Sequence, residues 1–533
     1  MKKLISVLLS IVMVFALAVP VFAVEDASAD YPTIYIEGKG NITIYNEDGT
    51  PAKNPDSIDI AAYVEEKAGP VLKDFALALT TGDYSKWIAS LTELMGYIYD
   101  GQTIGGDGQP VSSYTKADEI NANPTEKTSN FGLMDYIFKY DWRLNPMDTA
   151  DKLDAYIEKV LEVTGAEKVN IVARCLGTQP ATAYLYKSYN GEYDHEFRVA
   201  NVVLDTPSVA GYITLGGLFS GRVVMDSDSV DKFVSFYMNN QGIFANSGMN
   251  ELATVFVSIL NRLNAIGYGS DVVAKVINDC GDELISSLGL ATYAGYPSYF
   301  SMVGDEYYED AVNTIFYSDE LKEEYAGFIE DIEEYNNALG KVDPETGLAG
   351  YEVLYLNLKE MGVNTAVFAK YGAMQLPLFE GCEITGDMRG TATELSLGAT
   401  ASNFDSKLSD EYLEEAKANG TDKYISADKQ LDASTCLFPE TTWFVKNISH
   451  DNFPAEVNEI ALEFLRSDGK TTVFTSEKAC GQFMDYSTGK LEAVSDKNSN
   501  VIDDSWGNDW VSILKRFIQS IINSILKIFG IGK

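Results

Sequence analysis

Apolar and polar positions follow two different periods along this chain, and the places where the period changes outline its architecture. Short runs dense in β-branched and aromatic residues, bounded by Gly, Pro or Asn, occur at Thr33–Asn41, Phe131–Asp141, Val169–Val172, Phe197–Pro207, Asn364–Gly372 and Thr442–Ser449. Such runs predict strands, and strands without strict alternation are those buried on both faces of a parallel sheet. Between them the period lengthens to that of a helix. Asp151–Val163 places Leu153, Tyr156, Ile157, Val160 and Leu161 on one face. Pro454–Leu465 does the same with Val457, Ile460, Ala461 and Phe464, and opens on a proline suited to a first helical turn. Residues 59–98 read as mostly helical, followed by a loop over 101–130 rich in Gly, Ser, Thr and Asn. The repeated strand–helix order predicts an α/β fold with a mostly parallel sheet.

From Ser208 to about Val363 the strand signal stops. This stretch is rich in Tyr and acidic residues and keeps helical periodicity, as at Leu252–Leu263 and Leu321–Leu339. An insertion of this size between sheet strands predicts a mainly helical cap or lid over 208–363, with the sheet built from 31–207 and 364–466. Residues 467–508 are polar and read as a linker or small appendage. The C-terminal segment 509–530 changes character again. Trp510, Val511, Ile513, Leu514, Phe517 and Ile518 begin an apolar stripe that continues to Phe529, with Lys515, Arg516 and Lys527 largely outside it. A basic amphipathic helix on an acidic protein points to a membrane surface, or to docking on its own domain or a partner. At the other end, Lys2 and Lys3, the apolar run Leu4–Val19 and Val21-Phe-Ala23 have the order of a secretory signal over 1–23. The chain is therefore expected to be exported.

One boundary between strand and helix carries chemistry. Val169–Tyr184 passes from an apolar β-run into helical period through Ala173-Arg-Cys-Leu-Gly177. A sharp strand-to-helix turn with a small residue two places either side of one nucleophilic side chain is a nucleophile elbow. The nucleophile would be Cys175. A second turn, at Gly38 and Gly40 after the first strand, can aim backbone N–H groups into a cleft as an oxyanion hole requires.

Composition narrows the partners. The formal charge is −39, from 40 basic and 79 acidic residues, which excludes nucleic acid. Five cysteines leave at least one thiol unpaired within the monomer, consistent with a free Cys175 and at most two disulfides among Cys280, Cys382, Cys436 and Cys480. No Cys/His spacing suits a structural metal, and no cofactor is expected. Acyl transfer needs a base near the nucleophile, and there are only two histidines. His195 lies in a polar loop and is expected at the surface. His450 follows a strand and precedes the last sheet helix.

With Glu37-Gly-Lys-Gly-Asn41, Tyr140-Asp-Trp-Arg143, Ala173-Arg-Cys-Leu-Gly177 and His450 together, the chain resembles the α/β-hydrolases close to the lecithin:cholesterol acyltransferase group of lipases and acyltransferases. The resemblance covers roughly 31–207 and 364–466. It implies Cys175 as nucleophile, His450 as base, and the backbone N–H groups of Lys39 and Leu176 as the oxyanion hole. It also implies an acid after the strand that follows the lid. Asp387, in Gly386-Asp-Met-Arg-Gly-Thr391, is the closest match, and Asp428 and Asp432 are nearer His450 in sequence. The chain departs from the family in having Cys175 for serine, Ala173 for glycine, and Arg174 where histidine is common. Two functions follow as expectations. One is an exported acyl hydrolase or acyltransferase, acting on a small-molecule or lipid-like ester through a Cys175 thioester. The other is a catalytically inactive descendant that binds a lipid, peptide or surface ligand through its cap.

Overall fold

In a computed structural model, the described residues are 31–40, 42–53, 60–124, 133–222, 269–373, 384–404, 406–450 and 452–497. The expected signal at 1–23, the amphipathic segment 509–530, the helical run Leu252–Leu263 and Cys382 lie outside them.

The apolar runs form one sheet of eight strands: β1 (Thr33–Ile36), β2 (Tyr136–Phe138), β3 (Val169–Arg174), β4 (Val199–Asp205), β5 (Asn364–Tyr371), β6 (Thr442–Lys446), β7 (Phe483–Asp485) and β8 (Glu492–Ala493). Their spatial order is β2-β1-β3-β4-β5-β6-β7-β8, and only β8 runs antiparallel. The four central strands are almost entirely buried, which is why they read as apolar-rich runs without strict alternation. Alternate residues serve opposite faces. Ile171, Val202, Leu204 and Val367 meet helices on one side. These are α3 (Pro146–Thr164), α4 (Thr178–Tyr189) and α8 (Gly350–Glu360). Val172, Val203, Phe368 and Trp443 meet α9 (Ala455–Arg466) on the other. The fold is α/β and α/β-hydrolase-like, with a mainly helical segment inserted between β4 and β5.

Local chemistry sets the helix ends. Asn145 caps α3 by accepting the Met147 N–H at 2.9 Å, Pro146 occupies the first turn, and Gly165 closes the helix with φ of 70°.

Two segments differ from the sequence expectation. Within the stretch expected to be a linker or small appendage, β7 and, at the edge, β8 extend the sheet. Helices α1 (Ile60–Thr81) and α2 (Ser85–Ile98), expected to belong with the sheet, join α5 (Ser270–Leu290) of the insert in a separate apolar cluster. Phe75, Trp87, Leu94, Ile98, Val276 and Leu284 form its centre. The insert also contains α6 (Asp305–Ile315) and α7 (Ala326–Tyr335). Its last helix, α8, covers the sheet beside α4 instead of standing apart as a lid. Among the described residues, no helix is long and apolar enough to cross a membrane.

Candidate active site

At the carboxyl end of β3 the chain turns through a 3-10 element, Cys175–Gly177, directly into α4. Cys175 has φ of 49°, the left-handed region that costs a residue with a Cβ. The turn is crowded. A Cβ at Gly177 would stand 2.3 Å from the Ile36 carbonyl oxygen, so only glycine lets α4 start this close to β1. Gly38 faces Cys175 in the same way: a Cβ there would lie 3.0 Å from Cys175 Cβ and 3.3 Å from its Sγ. The glycine turn after β1 is therefore packed against the sulfur. Leu176, buried within the 3-10 turn, sits where a first-turn N–H has no partner in a helical ladder.

Tyr140 holds the glycine turn from below. Its buried hydroxyl lies 2.9 Å from the Glu37 carbonyl and 2.8 Å from that of Gly38, while Gly40 N–H closes the turn onto Glu37 O at 3.0 Å. The remainder of Tyr140–Arg143 is structural. Arg143, fully buried, pairs with Asp141 through Nε and Nη2 at 2.9 and 2.6 Å and donates to Gln102 O and Ser113 Oγ. Trp142 packs edge-on against Tyr296 and Tyr299 of the insert, and Lys39 Nζ lies 5.8 Å from the centre of its ring.

His450 follows β6 on a short segment and is buried. Its Nδ1 lies 2.6 Å from Asp387 Oδ2. Asp387 Oδ1 accepts the N–H groups of Arg389 and Gly390, each at 3.0 Å. The other ring nitrogen, Nε2, is buried and makes no hydrogen bond of ordinary geometry among the described residues. The ring titration nevertheless feels Cys175. Burial depresses the His450 imidazolium, but the Asp387 charge, then that of Cys175, outweigh it and raise the pKa to about 9. Asp387 moves the other way: burial opposes its ionisation, yet His450, Lys370 and the Gly390 N–H hold it below the usual carboxylate range.

The other two candidate acids are engaged elsewhere. Asp428 forms a buried pair with Lys446 at 2.9 Å and accepts from Ser426 Oγ. Asp432 accepts from Tyr412 Oη and caps the turn at Ser434. His195 is half-buried, 2.7 Å from Asp154 and stacked on Tyr193. Of the sequence candidates, the fold thus brings together Cys175, His450, Asp387, Gly38–Gly40 and Leu176, and leaves Asp428, Asp432 and His195 aside.

The chain matches no protein-family model, no curated protein and no solved structure.

Two residues at the end of β4 escape sequence reasoning. Ser208, just beyond β4, places its hydroxyl 3.9 Å from Cys175 Sγ and 3.0 Å from Tyr212 Oη. Asp205, the last residue of β4, is buried, and its Oδ1 has no hydrogen-bond partner among the described residues. Their only sequence signal is position, at the end of the strand next to the elbow. Among the described residues, Cys280, Cys436 and Cys480 form no disulfide.

Asp205 carries a testable cost. Burial raises its pKa to about 6, with Lys370 and then Arg174 opposing. A folded-state pKa above the unfolded one means that stability falls as pH climbs from about 4 through 6. Asp205→Asn is expected to stabilise the protein by about 2–3 kcal/mol at pH 7.5 and to change little at pH 4. Urea unfolding at the two pH values measures both, and equal effects at each would remove the buried ionised carboxylate as the cause.

Proposed function

We propose that this protein is an acyl-transferring enzyme of α/β-hydrolase type, a hydrolase or acyltransferase of small or lipid-like esters, resembling the lecithin:cholesterol acyltransferase group. The observation that carries the reading is the buried Asp387–His450 pair, electrostatically coupled to a cysteine held at positive φ on a strand-to-helix turn. Export through residues 1–23 and surface attachment through 509–530 belong to the same proposal.

In this reading His450 Nε2 takes the Cys175 thiol proton, and Asp387 holds the imidazole and balances the imidazolium. The raised pKa of His450 favours the form in which the proton sits on the ring and the sulfur is a thiolate. Sγ attacks the ester carbonyl carbon, and the oxyanion is received by the N–H groups of Lys39 and Leu176. Collapse breaks the C–O bond, and the departing alkoxide takes the His450 proton. Water or an acceptor alcohol, deprotonated by Nε2, then attacks the thioester and releases Sγ. Tyr140 keeps the Lys39 turn in register by holding the carbonyls on its amino side.

Cys175→Ala is expected to reduce turnover of a p-nitrophenyl ester panel to background, and the parent chain to accumulate an acyl adduct on Cys175 visible by intact mass. Full turnover by the Cys175→Ala protein would sink the proposal.

A further inference from the structure

Behind the nucleophile turn lies a group of charges that the proposed mechanism does not use. Arg174, the last residue of β3, extends toward the face covered by α9. Its guanidinium lies over the ring of Phe453, and Nη1 is 3.7 Å from Glu37 Oε1. Glu37 in turn accepts the Gly38 N–H at 3.3 Å and the Tyr35 hydroxyl at 2.8 Å, so its carboxylate is fastened to the glycine turn that presents Lys39. From β5, the buried Lys370 donates to the carbonyls of Ser449, His450 and Asn452, at 3.2, 2.5 and 2.9 Å. The same ammonium lies 3.7 Å from the centre of the Phe453 ring. Phe453 is thus held between two cations, one from each of two strands. The buried carboxylate of Asp205, on the strand between them, supplies opposing charge to both.

These contacts make a chain of connection. Ser449, His450 and Asn452 are tied by their carbonyls to Lys370, Phe453 to Arg174, and through Arg174 to Glu37 and the glycine turn. Cation–π contacts and charge-assisted hydrogen bonds strengthen when desolvated, as at the buried Lys370. We propose that Lys370, Arg174 and Phe453 are positioning residues that lock the histidine segment to the oxyanion turn, so that base and oxyanion donors keep one fixed relation to Cys175. Arginine at position 174 then serves in its own right: it reaches two loops at once. The inference rests on the acyl-transfer reading for its catalytic meaning, although the geometric lock itself does not.

The test uses the full chain with Phe453→Leu, Phe453→Tyr and Lys370→Met, each checked for a cooperative circular-dichroism melt. The first readout is the rate of iodoacetamide alkylation of Cys175 against pH, which needs no substrate and reports the coupling of sulfur to His450. The second is kcat and KM for p-nitrophenyl acetate. Phe453→Leu keeps an apolar filler but no ring. It is expected to move the alkylation midpoint by about 1 pH unit and to lower kcat about 10- to 100-fold, with KM little changed. Phe453→Tyr restores the ring and should restore both. Lys370→Met should act like Phe453→Leu; if it does not fold, the Phe453 pair decides alone. A folded Phe453→Leu protein with the parent's alkylation profile overturns the lock. A shifted profile in a chain that turns over no ester upholds the lock and sinks the acyl-transfer reading instead.

Discussion

Asp387→Asn is expected to lower kcat for ester turnover by about three to four orders of magnitude while leaving the fold intact. The amide can occupy the same space and keep hydrogen bonds to the turn at Arg389 and Gly390, but it brings no charge. Burial, which depresses the imidazolium, then loses its main opponent. The His450 pKa should fall from about 9 to near or below the ordinary value of about 6.5. Two windows follow for stability. The His450 contribution, from a raised pKa, is complete below about pH 6.5 and lost as pH rises through 9. The Asp387 contribution, from a depressed pKa, is present above about pH 4 and lost on further acidification. The difference in Tm between parent and variant should therefore peak near pH 5–6 and shrink toward pH 10. With only two histidines in the chain, imidazole NMR follows the ring directly, and His195→Gln assigns it. A Tm difference that does not vary between pH 5.5 and pH 10 would show that charge does not couple the pair.

Arg143→Met should have the largest effect on stability, a loss of about 3–5 kcal/mol. Methionine fills much of the volume but leaves the Asp141 carboxylate, the Gln102 carbonyl and Ser113 Oγ without their shared donor. An uncompensated buried charge accounts for most of the cost. Adding Asp141→Asn should recover part of it, because the charge left behind is removed. Urea unfolding of the two single variants and the double gives the coupling. A loss below about 1 kcal/mol for Arg143→Met would mean that the pair is dispensable. Turnover of the folded fraction should also drop, since Tyr140 and Trp142 sit on the same run and support the glycine turn and the insert.

What could be read in advance follows burial. Strands β3 to β6 are buried on both faces, so their sequence is largely apolar, and each was legible. The turn at Cys175 was legible because crowding by Ile36 and Gly38 demands small residues around it. Strands β7 and β8 were not: at three and two residues they are too short to show a period, and β8, the outermost, is exposed. Helices α1 and α2 were seen as helices, but an amphipathic face does not name its partner, and theirs is α5. The same limit applied to the carboxylates. Asp387, Asp428 and Asp432 differ little in sequence context, and it is Lys446, a neighbour only in space, that occupies Asp428. Arg174 reads as a departure from a family pattern until Phe453 and Glu37 are seen around it.

The cluster of α1, α2 and α5 bears on how the chain acquires its shape. Tyr84 and Asp279, whose side chains meet at 3.3 Å, are 195 residues apart. Helices α1 and α2 are made early, yet the surface that covers Phe75, Trp87 and Leu94 arrives only after β3, β4 and part of the insert have followed. Closing so long a loop is slow, and apolar faces that wait are prone to stick to other chains. The Cys175 turn between β3 and α4 likewise relies on a distant partner, the glycine turn after β1. Burial of the α1 and α2 faces is thus tied to the insert, although both helices lie before the Cys175 turn in the chain.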